Sequence, residues 1–273
     1  MTFKEKLGHA QKRNNSLLCI GLDTDISKIP RSLKGHKNPQ QEFNRQIIEA
    51  TKDLACAYKL NLAFYESAGE QGYETIHETL GCIPAEIITI ADGKRGDIGN
   101  TAEQYAKIIF DDWKFDAATV SPYMGKDSID PFIKSEDHCA FILALTSNPG
   151  SRDFQYLEVN GRPLYEHVTA KAAGWNLQNN IGLVVGATHP EELKRVRAMV
   201  PGMPLLIPGI GTQKGDLDAT VQYGCDKTGY LALINVSRGI IFASAGDDFG
   251  AKARESAVKI QNEINTIRGK YFG

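Results

Sequence analysis

The sequence lacks any apolar run approaching the roughly 20 residues that a bilayer crossing needs. Its first stretch, MTFKEKLGHAQKRNN, carries charge where a secretory signal carries an apolar core. Neither a membrane span nor export is expected, and the protein is placed in the cytoplasm. Cysteine is scarce and unpaired in pattern: Cys19, Cys56, Cys82, Cys139 and Cys225 are odd in number and form no Cys-x-x-Cys. This argues for reduced thiols in or near the core, not for disulfides or a zinc site. The 6 histidines are equally dispersed, and His189, just before Pro190, is expected at a helix start or on the surface. There is no excess of either charge, with a net value of -2 and a pI near 6.3. That leaves no electrostatic footprint for nucleic acid or an anionic membrane, so a small molecule is the expected ligand. No low-complexity or linker-like stretch divides the 273 residues, which read as a single domain over 1–273.

What the chain does contain is a repeated alternation of short apolar runs with longer amphipathic ones. Strands are expected at 16–22, 56–62, 86–91, 117–120, 139–145, 181–186, 205–208 and 231–236. Helices are clearest at 40–55, 101–111, 163–178, 190–199 and 250–268, the first preceded by Asn38 and Pro39 as cap and first-turn proline. Eight strand and helix units in this length predict a (β/α)8 TIM barrel, with an open doubly wound sheet as the competing architecture. Residues 152–161 form the longest irregular insertion, expected as a mobile loop near the barrel mouth.

One stretch, EIITIADGKRGDIGN at 86–100, stops an apolar run abruptly at alternating charges. Taken alone, such a run is most often a solvated loop. Here it follows a predicted strand, and side chains two apart on a strand share a side, so Asp92 and Lys94 are expected to project together, with Asp97 further out. Barrel chemistry sits at the C-terminal ends of strands, and the other strand ends are also polar. Asp23 and Asp25 follow strand one, and Lys59 and Asn61 lie on strand two. Thr146-Ser147-Asn148 follows strand five, Pro208-Gly209-Ile210-Gly211-Thr212-Gln213 strand seven, and Ser237-Arg238-Gly239 strand eight. The glycines after strand seven free backbone amides and Arg238 adds a cation, the composition of a phosphate site on the last two loops. The tripeptide Arg95-Gly96-Asp97 and the glycosylation-type triplets starting at Asn14 and Asn235 need extracellular exposure and are set aside as chance.

Lys59, Asp92-x-Lys94-x-x-Asp97, Pro208-Gly209-Ile210-Gly211 and Ser237-Arg238-Gly239 together resemble the orotidine 5′-phosphate decarboxylases. The likeness covers nearly the whole chain in order, and IADGKRGDIGNTA with SNPGS and LINVSRGI looks most like the longer bacterial-type branch, although Leu60 stands where that branch is expected to carry proline. The resemblance implies a carboxy-lyase that converts orotidine 5′-phosphate to UMP and carbon dioxide in pyrimidine biosynthesis, with no cofactor and no metal. It implies that Lys94 stabilises and protonates the C6 carbanion while Asp92, Asp97 and Lys59 hold the lysine charged and oriented. It further implies ribose contacts from Asp23 and Lys59, a pyrimidine contact from Ser147, and a phosphate grip from Gln213 and Arg238 with Gly211, beside Pro208 and Ser237. Asp97, Ile98 and Thr101 are implied to reach the neighbouring subunit's site, making a homodimer with shared active sites. A metal-dependent sugar-phosphate decarboxylase or aldolase and a non-catalytic nucleotide-binding barrel remain as rivals.

Overall fold

A parallel strand buried on both faces needs apolar side chains throughout, and the short runs of this chain supply them. The structure is a computed structural model that describes residues 1–210 and 216–273. Its strands, in chain order, are β1 (Leu18–Gly21), β2 (Ala57–Asn61), β3 (Ile88–Arg95), β4 (Ala117–Val120) and β5 (Cys139–Leu145). The two-residue β6 (Glu158–Val159) and β7 (Arg162–Pro163) come next, followed by β8 (Ile181–Val185), β9 (Leu205–Pro208) and β10 (Ala232–Val236). Among the described residues, eight of these close a barrel in the order β1-β10-β9-β8-β5-β4-β3-β2. Every barrel pairing is parallel, so the open-sheet alternative is excluded and the (β/α)8 expectation holds. The interior is packed by residues such as Ile88, Ile90, Phe141 and Leu233, while a second apolar layer lies between the barrel and its helices.

The charged first segment is not a surface arm. Thr2 and Glu5 form a reciprocal capping box for helix Phe3–Arg13, and Phe3, Leu7 and Ala10 are buried in the barrel-interior cluster. Phe3 meets Phe141 edge-on at 6.0 Å, so this helix plugs the end of the barrel where β1, β3 and β5 begin. Asn38 accepts from the Gln41 amide at 3.2 Å with Pro39 as first helical residue of Pro39–Thr51. Helix Glu70–Cys82 is not among the clearest helices of the sequence pattern. A Cβ on Gly72 would lie 1.7 Å from the Tyr65 carbonyl oxygen; the glycine is there to let two backbones touch. The 152–161 insertion is not irregular throughout, because Glu158–Val159 pairs antiparallel with Arg162–Pro163. All five cysteines are free and four of them are buried. No helix among the described residues is long and apolar enough to cross a membrane.

Candidate active site

The C-terminal ends of the barrel strands surround a cavity of roughly 390 Å³, in the size range of small-molecule sites. The segment after β1 contributes Asp23, and strands β2 and β3 contribute Lys59, Asp92 and Lys94, to one wall. Across the barrel, β5, β8 and β9 contribute Leu143, Val184 and Leu206. A charged wall thus faces an apolar one, and Pro208, Ser237 and Arg238 close the side between β9 and β10.

The charged wall is held by a chain of short contacts. Lys59 Nζ donates to Asp92 Oδ2 at 2.8 Å, and Lys94 Nζ donates to Asp92 Oδ1 at 2.8 Å. Lys59 also reaches Asp23 Oδ1 at 3.5 Å. Lys59 and Asp92 are 4% and 8% exposed, whereas the Lys94 side chain is 50% exposed and open to a ligand. Burial pushes the Asp92 carboxyl up, but the charges and hydrogen bonds of Lys59 and Lys94 outweigh it and hold the group below the ordinary carboxylate range. Burial likewise pulls Lys59 down, and the Asp92 and Asp23 carboxylates outweigh it, so its ammonium stays charged. The pairing of β2 runs unbroken through Leu60, so leucine at that position leaves Lys59 in regular strand geometry.

Asp92 and Lys94 do share a side, but not by simple alternation. Strand β3 continues to Arg95 instead of ending at 91, and its register against β4 shifts between Ala91 and Arg95. Lys94 lies in the left-handed region with φ 46, a conformation that costs a non-glycine residue about 1 kcal/mol. Thr119 on β4 holds it there: its hydroxyl accepts from the Lys94 amide at 3.0 Å and donates to Asp92 Oδ1 at 2.8 Å. A second close approach shapes the other side of the cavity. A Cβ on Gly21 would fall 1.9 Å from Ser237 Oγ, so glycine at the end of β1 lets the Ser237-Arg238 turn pack inward.

Of the residues singled out from sequence, Asp23, Lys59, Asp92, Lys94, Ser147, Pro208, Ser237 and Arg238 meet at this cavity. Gly211 and Gln213 lie outside the described residues. Asp97, Ile98 and Thr101 do not line it: Asp97 Oδ1 accepts from the Ile98 amide at 2.8 Å, and Ile98 is 47% exposed. Asp25 turns away to cap Ile26–Lys28. His189 is the cap residue of helix Pro190–Met199, where the sequence placed it. Sequence reasoning missed Thr119 and Asn235, both lining the cavity. The available signal was a hydroxyl and an amide inside otherwise apolar strands. Among the described residues no cluster of three or more His, Cys, Asp or Glu is arranged to hold a metal.

Comparison with known proteins identifies the family of the chain. A family model described as "Orotidine 5'-phosphate decarboxylase / HUMPS family" matches residues 16–253. An orotidine 5'-phosphate decarboxylase of Dehalococcoides mccartyi is 52% identical over 275 residues, covering 99% of this chain and 100% of the relative. One from Cupriavidus taiwanensis is 48% identical, with 98% and 99% covered. The solved structure of Leishmania donovani OMP decarboxylase superposes with a TM-score of 0.87 at 42% identity, covering 98% of this chain and 99% of that one. With the matched region spanning the whole barrel and its charged wall, the chain belongs to the orotidine 5′-phosphate decarboxylase / HUMPS family.

Proposed function

We propose that this chain converts orotidine 5′-phosphate to UMP and carbon dioxide, as a carboxy-lyase of pyrimidine biosynthesis. The observation that carries the reading is the Lys59–Asp92–Lys94 chain, with 2.8 Å at each link, at the rim of a cavity with an apolar opposite wall. Loss of the substrate carboxylate leaves an electron pair at C6 that cannot delocalise into the pyrimidine ring. Fixed charge must therefore stabilise it, and an ammonium already aimed and charged does so without reorganisation at the moment of reaction. Lys94 is the exposed end of the chain, so it faces the developing carbanion and then gives it a proton. Asp92 keeps Lys94 oriented, and Lys59, between Asp92 and Asp23, limits the repulsion of those two carboxylates. Asp23 and Lys59 contact the ribose, Ser147 the pyrimidine, and Arg238, with Ser237 and Pro208 beside it, the phosphate. Gly211 and Gln213 are assigned to the phosphate grip from the family pattern. Binding energy at the phosphate then favours the closed, water-poor complex in which the carbanion forms.

Asp97, Ile98 and Thr101 are assigned to the site of a second copy, making a homodimer with shared active sites. Supporting this, Asp97 stays out of its own cavity, and the loops after β3 and β4, joined by the Ser121 amide to the Arg95 carbonyl at 2.7 Å, expose Ile98, Tyr123 and Met124. A reducing, cytoplasmic setting accords with five free thiols.

The test is a spectrophotometric assay with orotidine 5′-phosphate in EDTA. Turnover that survives the chelator and vanishes in Lys94→Ala is expected. Tight UMP binding without turnover would favour a nucleotide-binding barrel, and turnover lost to EDTA would favour a metal-dependent relative. For the shared site, Lys94→Ala and Asp97→Ala proteins are mixed under conditions of subunit exchange. Random pairing restores about one quarter of wild-type activity, because half the dimers carry one intact site; no recovery would place Asp97 in its own chain's site.

A further inference from the structure

The loop after β5 is gripped from outside the cavity more completely than its short sequence requires. The Thr146 amide donates to Gln155 Oε1 at 2.8 Å, and Gln155 Nε2 donates back to Thr146 Oγ1 at 2.9 Å. The same hydroxyl donates to Asn148 Oδ1 at 2.6 Å. On the other side, His189 Nε2 lies 3.2 Å from the Thr146 carbonyl oxygen. A carbonyl only accepts, so Nε2 carries a proton, and Nδ1 lies 3.2 Å from the Tyr156 hydroxyl, which also donates to Glu192 Oε1 at 3.1 Å. Ser147 is pressed onto a third element, since a Cβ on Gly186 would stand 2.9 Å from the Ser147 backbone nitrogen. Gln155 is itself anchored through both backbone groups, its amide on the Ser151 carbonyl at 2.8 Å and its carbonyl accepting from the Tyr165 amide at 3.0 Å.

We propose that Gln155, His189 and Gly186 are positioning residues that form a rigid seat for Thr146 and Ser147, and that this seat sets discrimination between uracil-type and cytosine-type rings. The inference rests on the assignment of Ser147 to the pyrimidine. Thr146 and Ser147 line the cavity, whereas Gln155, His189 and Gly186 do not, so these three act only through the loop they hold. Uracil presents N–H at ring position 3 and a carbonyl at position 4; cytosine presents a bare nitrogen and an amine. A polar group tells these patterns apart only while its position is fixed, because a loop free to shift re-pairs with either. Two side-chain grips on one residue, with a glycine contact beneath the next, provide that fixity.

The test measures UMP, CMP and ribose 5-phosphate affinities by calorimetry, with kcat and KM for orotidine 5′-phosphate, in wild type and Gln155→Met. The substitution keeps the side-chain volume and removes both polar ends. The UMP-to-CMP affinity ratio should fall roughly three- to tenfold, the change expected from one neutral hydrogen bond. Ribose 5-phosphate affinity should stay unchanged, and KM should rise more than kcat falls. An unchanged ratio, or equal weakening of all three ligands, would overturn the proposal by reducing Gln155 to a structural brace. If Gln155→Met fails to fold, His189→Ala and Gly186→Ala are read by the same ratio and decide it the same way. Wild type that does not turn over orotidine 5′-phosphate refutes the functional assignment and this inference with it; wild type that does, with selectivity unmoved in the variants, refutes the seat alone.

Discussion

Replacing Lys59 by methionine isolates the charge at the base of the site, because the stem volume is nearly kept while the ammonium is lost. In the native protein Lys59 is 4% exposed, and its ammonium lies 2.8 Å from Asp92 and 3.5 Å from Asp23. Removing one partner of a buried pair typically costs 3–5 kcal/mol, since the other is left as an uncompensated charge. Asp92 keeps Lys94 and Thr119, so the lower end applies, about 3 kcal/mol. For a chain of this size that is a drop in Tm of roughly 6–12 °C. Scanning calorimetry at pH 7 reads it directly.

The pH dependence gives the reasoning a second handle. Asp92 has its folded pKa depressed, so its contribution is fully present above the unfolded value of about 4 and is lost as pH falls through the folded one. Lys59 has its folded pKa raised, so its contribution is complete below about 10.4 and is lost only as pH rises through the folded value. Between those limits the gap between wild type and Lys59→Met should be flat. Below about pH 4 it should narrow, because protonated Asp92 no longer needs its partner. Asp92→Asn should cost less stability in the Lys59→Met background than in wild type, since the two changes remove one shared interaction. A variant as stable as wild type at pH 7, or a gap that stays constant into acid, would show that Lys59 and Asp92 are not coupled as their geometry requires.

Thr119→Val removes the hydroxyl that joins the Lys94 amide to Asp92; a bond to a charged group is worth about 1.5–3 kcal/mol, so kcat/KM should fall about tenfold or more, and a change within twofold in steady-state kinetics would count against its role. Gly21→Ala sets a methyl against Ser237, which should weaken UMP binding while leaving uridine binding near wild type; equal loss of both would mean the phosphate side is not what Gly21 shapes. Arg197 is buried with its guanidinium on the carbonyls of Gly224, Val200 and Met203, and burial pulls its pKa down to about 10. Arg197→Met should cost about 2–4 kcal/mol in urea unfolding by orphaning those carbonyls, with kcat unchanged; a loss of activity without a loss of stability would contradict a purely structural role.

The barrel was legible because its signal is repeated: each barrel strand is built on a short, largely buried apolar run, and β4, β5 and β9 coincide with the runs read from sequence. Where a single contact overrides the local pattern, legibility ends. Gly72 carries no sequence signal of its role, which is to admit the Tyr65 carbonyl against the helix. Lys94 reads as one more residue of a period-two strand, yet its left-handed φ arises in a shifted β3–β4 register and is held by a hydroxyl from the neighbouring strand. Thr119 stands out in the sequence only as a hydroxyl inside an apolar strand; what marks it for the site is which neighbours face it.

The same distinction separates the acids of the motif. Asp92 and Asp97 are equivalent in type and five residues apart, and composition alone offers no reason to give them different work. In the fold, Asp92 is the buried link between two lysines, and its charge is needed simply to keep those ammonium groups together. Asp97 has no such obligation within its own chain's cavity, and its carboxylate is turned to the amide of an exposed Ile98. A carboxylate next to an exposed apolar side chain, near a loop that exposes Tyr123 and Met124, accords with the proposed assignment of Asp97 to a second copy's site. Losing Asp92 should therefore damage stability and activity together, whereas losing Asp97 should damage activity alone. Unfolding curves and turnover measured on the same two variants separate these outcomes, and a stability loss at Asp97 as large as that at Asp92 would overturn the division of labour.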